Sequence, residues 1–411
     1  MHWKTRELAS VCEVFTDGDW IESKDQSDAG VRLIQTGNVG EGVFKDRSEK
    51  ARFVSSETFT RLRCTEIVPG DCLISRLPDP VGRACIVPDT GESMITAVDC
   101  TIVRFQKDTY LPELFTYYSQ ADSYLRAVEA ETTGTTRNRI SRARLGQVAV
   151  PVPPLPEQRR IVAILDKAFE CIATTKVNAE KNLQNTRDLI GTGYGALVES
   201  FDQSQWGNAP VTNIAAAGKG SMRTGPFGSQ LLHSEFVDDG IAVLGIDNAV
   251  ANEFRWDKRR YITEEKYRDM TRYRVHPGDV LITIMGTCGR CAVVPDGIPV
   301  AINTKHLCCI TVDRKKCLPD YLHRYFLYDP QARAYLTAQA KGSIMAGLNM
   351  GIISALPVRL PPLDQQASIV ERFDALQSEC DRLANAQARK LAALNELKRS
   401  LLHQAFSGGL S

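Results

Sequence analysis

Hydrophobic positions along the chain follow two rhythms, and the change between them marks out its architecture. CLISRL from Cys72 and VLITIM from Val280 are short apolar runs, each preceded by Pro-Gly-Asp and followed by turn residues, which predicts β-strands. Pro-Gly-Asp is a turn signal because proline fixes φ and glycine permits positive φ. ACIVP from Ala84 and CAVVP from Cys291 predict the strands that follow. Around Leu111–Ala130 and Leu318–Gln339 apolar and aromatic residues recur at three and four, which predicts helix.

After Pro153 the rhythm becomes heptad-like. Val162, Leu165, Phe169, Ile172, Lys176, Ala179, Leu183, Thr186, Ile190, Gly193 and Leu197 alternate steps of three and four. Ile369, Phe373, Leu376, Cys380, Leu383, Gln387, Lys390, Leu394, Leu397 and Leu401 repeat the pattern near the C-terminus. Each set predicts an amphipathic helix of about 35–40 residues, roughly 50–60 Å long, with a coiled-coil-like seam. Lys176 with Thr186, and Gln387 with Lys390, interrupt the two seams as partly exposed or register-setting positions. PPLPEQ and PPLDQQ sit at the helix starts, where proline costs no intrahelical hydrogen bond. Gly191, Gly193 and Gly195 weaken the end of the first helix and suit a hinge or an exit into the next domain.

The same blocks occur twice in the same order. Pro69–Ser75 returns as Pro277–Thr283, an offset of 208, and the same offset relates Arg52–Phe59 to Arg260–Tyr267 and Pro153–Val162 to Pro361–Val370. GRACIVPD at Gly82 matches GRCAVVPD at Gly289, and Asn38 answers Asn248. A period this long exceeds the roughly 20–50 residues of solenoid repeats and implies two homologous domains. The predicted fold is mixed α/β: two strand-rich domains, residues 1–151 and 201–357, separated and followed by two long helices, 152–200 and 358–411. The helices are expected to pair antiparallel, in a pseudo-two-fold arrangement.

Composition narrows the class. Hydrophobic residues make up 43% and charged residues 24% of 411, as in an ordinary soluble globular chain, and no apolar run is long enough for a membrane span. Twelve cysteines without a small-domain disulfide framework, and no signal-peptide core, point to a reducing cytoplasm. Lys and Arg number 50 against 49 Asp and Glu, so a nucleic-acid reader of this balance must segregate its charge. Arg137, Arg139, Arg142 and Arg144 form one cluster without intervening acids, and Arg255–Arg274 holds eight basic residues; either is also compatible with ordinary solvated surface.

Catalytic signatures do not emerge. There is no phosphate-binding G-x-x-x-x-G-K-[ST], no G-x-G-x-x-G after a strand and no H-E-x-x-H. The Asn/Asp-Pro-Pro-aromatic tetrapeptide of amino-methyltransferases is missing. Cys288 and Cys291, with His306, Cys308, Cys309 and Cys317 downstream, have zinc-like spacing. The matching positions of the first copy are Val81 and Ala84, and LCCITV also reads as strand, so no metal is assigned.

The duplicated plan, the starts PPLPEQRRIVAIL and PPLDQQASIVERF, the closing LKRSLLHQAFSGGL, and the stretches Asp17–Phe44 and Thr224–Asn248 resemble the specificity (S) subunit of type I restriction–modification enzymes. That resemblance covers essentially the whole chain. It implies a non-catalytic subunit whose two target-recognition domains each read half of a bipartite, gapped site in double-stranded DNA. The helices would set the gap and dock two methyltransferase (M) subunits, which carry S-adenosylmethionine. Restriction (R) subunits using ATP and Mg would join that core.

Helix pairing and M-subunit docking would fall on Val162, Leu165, Phe169, Ile172, Leu183 and Ile190, and on Phe373, Leu376, Leu383, Leu394, Leu397 and Leu401. Base readout needs polar side chains on loops, and phosphate contact needs positive charge. The candidates are Lys24, Arg76, Arg83, Thr135, Arg137, Asn138 and Arg139 in the first domain. In the second they are Lys219, Arg223, Ser229, Arg290, Lys305 and Lys341. A scaffold that organises a DNA-modifying complex without reading sequence is the alternative. Loops that diverge on matching frames favour the reader.

Overall fold

The computed structural model describes residues 3–134, 138–256, 258–340 and 348–410. The chain divides into two compact units, residues 1–180 with 388–411, and residues 181–387. Each unit holds one strand-rich domain and a part of both long helices.

In the first unit an antiparallel sheet runs in the order Cys12–Asp17, Cys100–Phe105, Cys72–Ser75, Ala84–Ile86. A second runs Arg52–Val54, Val31–Ile34, Met94–Thr96, Glu66–Ile67, with a parallel central pair. Thr5–Glu7 pairs with Ala149–Pro151 just before the first long helix. The second unit repeats this plan strand for strand: Met222–Thr224, Leu307–Ile310, Val280–Thr283, Cys291–Val293 in one sheet, and Tyr261–Ile262, Ile241–Leu244, Ala301–Asn303, Arg274–Val275 in the other. Gly207–Pro210 pairs with Pro357–Leu360.

The strands after Pro-Gly-Asp are continuous apolar runs because both faces are covered. Cys72 and Ile74 face a core shared with Phe115, Ile161, Leu165 and Leu402, while Leu73 faces Ile34, Ile67 and Met94. Val280 and Ile282 face Tyr321, Tyr325, Ile369 and Phe373, while Leu281 faces Leu244, Val275 and Ala301. The Asp of each motif does more than turn the chain. Asp71 is buried, accepts from the Val68 N–H at 2.9 Å and pairs with Arg104 at 2.8 Å. Asp279 is buried likewise, but its arginine comes from one strand further away: Arg223, on the far side of Leu307–Ile310, lies at 2.5 Å.

The stretches predicted helical are helical, each as two helices. Pro112–Tyr118 precedes Asp122–Ala130, and Pro319–Tyr328 precedes Pro330–Ala340. The second break has a plain cause. Pro330 has no N–H to continue the ladder, and the buried Asp329 accepts from the Gln331 N–H at 2.9 Å to start a new helix.

The long helices span Leu155–Glu199 and Leu363–Ser407, 45 residues each. Their starts are held by a repeated buried glutamine. Gln158 accepts from the Leu111 N–H at 2.8 Å and donates to the carbonyls of Thr109 and Pro153. Gln366 accepts from the Leu318 N–H at 2.8 Å and donates to Lys316 and Pro361. In the first unit the helical segments run antiparallel. Arg160 bonds the Leu410 carbonyl, the Lys398 ammonium sits 5.0 Å from the Phe169 ring, and Lys176 bonds Asn395. Burial, aided by Lys176, pushes the Lys398 ammonium below its ordinary range. In the second unit Tyr194 meets Phe373 edge-on, with ring centroids 5.3 Å apart.

Two expectations about these helices change. Leu397 and Leu383 are exposed, and the C-terminal seam instead buries Leu402 and Ala405. Gly191–Gly195 forms no hinge, because the helix continues through it. A Cβ on Gly193 would lie 2.6 Å from Leu376, so this glycine lets the second long helix approach closely, whereas the space beside Gly191 is open. Gly191→Ala is therefore expected to stabilise the chain by about 0.5–1 kcal/mol in chemical unfolding, the helix-interior difference between the two residues. Unchanged or reduced stability would contradict that account.

Candidate nucleic-acid interface

Several predicted readers turn out to be construction residues. Arg83 is buried, and its guanidinium donates to four carbonyls: Val39 at 2.7 Å, Leu77 at 2.7 Å, Thr36 at 2.9 Å and Pro80 at 3.0 Å. It ties two loops together at one end of the sheets. Arg76 is also buried, donates to the Val98 carbonyl and lies 3.3 Å from Asp17. Burial pushes both arginines below their ordinary range. Arg223 is consumed by Asp279, the Arg274 carbonyl and Thr311. The structure places these three as loop-building residues rather than exposed DNA contacts: each guanidinium is buried and turned into the fold, away from where a phosphate or base edge could reach it.

Of the remaining first-domain candidates, Asn138 and Arg139 are exposed on the same loop end, and Arg139 reaches Asp99 at 3.1 Å. The Arg76 carbonyl accepts from the Ile140 N–H at 3.3 Å, which joins that loop to the one built by Arg83. Lys24 is exposed and paired with Glu22 at 2.8 Å, which raises its pKa. Thr135, Arg137 and Lys341 lie outside the described residues.

In the second domain Arg290 is exposed and Lys305 half-buried, at the matching end of the sheets. The Thr283 N–H donates to the Arg290 carbonyl at 2.8 Å, and the Ile284 N–H to that of His306 at 2.9 Å. His306 is held below the ordinary histidine range by burial and by the charges of Lys305 and Arg260. Arg290 and Lys305 put two cationic side chains at this end, the charge that phosphate contact needs. Ser229 is exposed on the segment after Gly225, which this end also holds. Lys219 is elsewhere. It lines a separate basic cleft of about 560 Å³ with Arg272, Arg274 and His276, beside the Pro277–Asp279 turn at the opposite end of strand Val280–Thr283.

Asparagines hold the same loop in both domains. The Asn38 side chain accepts from the Gln35 N–H at 3.0 Å and donates to the Lys45 carbonyl at 3.0 Å. Asn248 accepts from the Gly245 N–H at 2.8 Å and donates to the Arg255 carbonyl at 2.7 Å. Two exposed aromatic residues, Trp20 and Phe227, stand at the same end and were missed by charge-based reasoning. The signal that could have found them is the repeat itself, since Gly18-Asp-Trp20 and Gly225-Pro-Phe227 are 207 residues apart.

The cysteine cluster has no metal geometry. Cys291, Cys308, Cys309 and Cys317 are buried core residues, and burial pushes the Cys308 and Cys317 thiols up to about 12. Among the described residues, no three of His, Cys, Asp and Glu are placed to share an ion.

His323 occupies the position of Thr116 and holds a loop on the second domain. Its Nε2 is 2.9 Å from the carbonyls of both Asn252 and Cys291, so Nε2 carries the proton, and Nδ1 faces Arg324. Burial, then Arg324, depress its pKa below the ordinary 6.5. The unfolded chain thus binds this proton first as pH falls. The stabilisation is complete above about pH 6.5 and is lost as pH drops through the depressed native value. Unfolding midpoints of wild type should fall more steeply below pH 6.5 than those of His323→Gln. Equal slopes would remove His323 from the account.

The type I restriction modification DNA specificity domain matches residues 1–185 and 248–393, reaching into both copies. The chain belongs to that family. Among specificity subunits, it is 26% identical over 330 residues to that of type I restriction enzyme EcoBI from Escherichia coli, spanning 75% of this chain and 68% of the relative. It is 19% identical over 417 residues to the putative MjaX specificity subunit of Methanocaldococcus jannaschii, spanning 99% and 93%. The fold is shared with solved structures. The HsdS subunit from Thermoanaerobacter tengcongensis superposes with a TM-score of 0.61 at 18% identity, over 99% of this chain and 97% of that one. A chain from work on complex assembly and conformational transition of the type I R-M system gives 0.77 at 18% identity, over 100% and 98%. No helix among the described residues of this specificity-family chain is long and apolar enough to cross a membrane.

Proposed function

We propose that this specificity-family chain reads a bipartite, gapped site in double-stranded DNA, one half with each strand-rich domain. The observation that carries this reading is the pair of identical frames whose loop ends differ. Strand order, the Pro-Gly-Asp carboxylate, the loop asparagine and the helix-start glutamine all recur, while matched loop positions differ: Arg83 is buried where Arg290 is exposed, and Asp19-Trp20-Ile21-Glu22 stands where Pro226-Phe227-Gly228-Ser229 does. A pure scaffold has no use for two different rims on one frame. Two half-sites of different sequence do.

In this reading the long helices set the distance between half-sites and dock two methyltransferase subunits in the cytoplasm. Those partners carry S-adenosylmethionine, and restriction subunits bring ATP and Mg. The chain itself contributes no catalytic group and acts by positioning. Phosphate contacts from the exposed Arg139 and Arg290 and the half-buried Lys305 supply salt-dependent affinity, and neighbouring polar groups read base edges.

The test is selection of random duplexes by this chain assembled with its methyltransferase partner, followed by sequencing of the bound pool. A gapped consensus with two unlike halves is expected. A pool without enrichment would leave the scaffold reading in its place, and methylation by the chain alone would reinstate an enzyme.

A further inference from the structure

Both domains hold a large aromatic ring in solvent at the same point of the repeated frame. Trp20 is 70% exposed and Phe227 is 54% exposed. Burying a ring of this size is among the larger single hydrophobic gains open to a fold. One such exposure is ordinary, since folded proteins show many apolar atoms. Two at matched positions, in domains whose surrounding residues have diverged, call for a common cause. The residue before the ring is Asp19 in one copy and Pro226 in the other, and those after it are Ile21-Glu22-Ser23 and Gly228-Ser229-Gln230. The aromatic character survives where its neighbours do not.

The frame fixes where each ring stands. Gly18 and Gly225, two residues before the rings, have no room for a side chain: a Cβ would lie 2.4 Å from the Thr96 carbonyl oxygen and 2.0 Å from that of Asn303. The Gly18 N–H donates to Cys100 at 2.9 Å, and the Gly225 N–H to Thr304 at 3.2 Å. Each glycine is thus pressed flat on a sheet end, and the ring projects from a rigid base.

That base belongs to the loop end described above. Asp19 donates its N–H to Thr96 at 2.8 Å and accepts from Val98 at 3.0 Å, next to the Asp99 that holds Arg139. Thr304, which anchors Gly225, is followed by Lys305 and His306, and Ile284, bonded to His306, precedes Met285, itself 45% exposed. In both domains the ring therefore rises from a base that shares its sheet end with an exposed or half-buried cation, and the Trp20 Nε1 also donates to Glu22 at 3.4 Å. Apolar rings for thymine methyl groups and base edges in a groove, and cations for phosphates, suit a duplex DNA surface.

We propose that Trp20 and Phe227 are matched aromatic contacts, each packing on the bases of one DNA half-site. This rests on the DNA-reading function above. Packing uses the ring's apolar face, so its contribution is independent of salt, in contrast to that of the flanking cations.

The experiment measures equilibrium binding of the assembled chain and methyltransferase complex to the duplex that the wild-type complex selects. Trp20→Ala and Phe227→Ala should each weaken binding by about 10-fold, the scale of one specific base-pair contact in a duplex site. Trp20→Phe should retain most of the affinity. The slope of affinity against salt should not change, and thermal unfolding should match wild type because both rings are exposed. Scrambling one half-site should abolish the effect of Trp20→Ala and spare that of Phe227→Ala, and scrambling the other should do the reverse. Wild-type affinity in both alanine variants, or losses indifferent to which half-site is intact, would overturn the inference while leaving DNA reading in place. If the wild-type complex selects no gapped sequence, the reading fails first and the inference falls with it.

Discussion

Asp279→Ala is expected to destabilise the second unit by about 3–5 kcal/mol, the usual consequence of leaving a buried charge without its partner. Asp279 is 1% exposed and its partner Arg223 is 8% exposed. The carboxylate accepts from Arg223, from the His276 N–H at 2.9 Å, from Thr311 at 2.6 Å and from the Cys309 thiol at 3.2 Å, so its loss strands a cation and three further donors. Asp71→Ala should cost less. Its partner Arg104 has a side chain 36% exposed, which can turn to water when the carboxylate is gone. Adding Arg223→Met to Asp279→Ala should recover part of the loss, because the stranded charge is then removed as well. Urea unfolding followed by a probe in the unit that carries each substitution measures all four proteins. A loss below 1 kcal/mol for Asp279→Ala, or no recovery in the double variant, would show that Arg223 finds water despite its burial.

The second large effect is at the helix starts. Gln158→Ala and Gln366→Ala should each cost about 2–4 kcal/mol, since one side chain satisfies an N–H and two carbonyls that have no solvent to fall back on. Both glutamines are fully buried. Gln366→Glu separates hydrogen bonding from size. A carboxylate can still accept from the Leu318 N–H, yet it cannot donate to Lys316 and Pro361 and would be buried as a charge. It should therefore be no better than alanine. Amide exchange gives the sharper reading: the Leu318 N–H should lose protection in Gln366→Ala while the strand Val280–Thr283 keeps its own. Retained protection at Leu318 would mean that another group closes this corner.

Several features were legible in the chain because they are local or repeated. Alternating Pro-Gly-Asp turns and apolar runs located the central strands, and proline-rich starts located the long helices. The glutamine of PPLPEQ and PPLDQQ was in plain view as a repeated residue, but its role needs the backbone of Thr109–Leu111 and Lys316–Leu318, which it meets only in the fold. The glycines near Gly193 were read by propensity as a weak point. Propensity is a small term beside packing, and there the neighbour Leu376 decides.

Arginine shows the division most clearly. Arg83 and Arg290 sit in the same Gly-Arg dipeptide of the repeat, and nothing in their spacing separates them. In one domain four loop carbonyls converge on the guanidinium and bury it, and in the other the side chain stands in solvent. The sequence by itself determined the duplication, the strand-rich domains, the long helices and the family to which such a plan belongs. Those follow from periodicity and turn chemistry, which act over a few residues. Only the tertiary structure decided which cations are exposed, which glycines are crowded and which aromatic rings are left uncovered. Each of those outcomes is set by groups brought together from distant parts of the chain, and no local pattern carries that information.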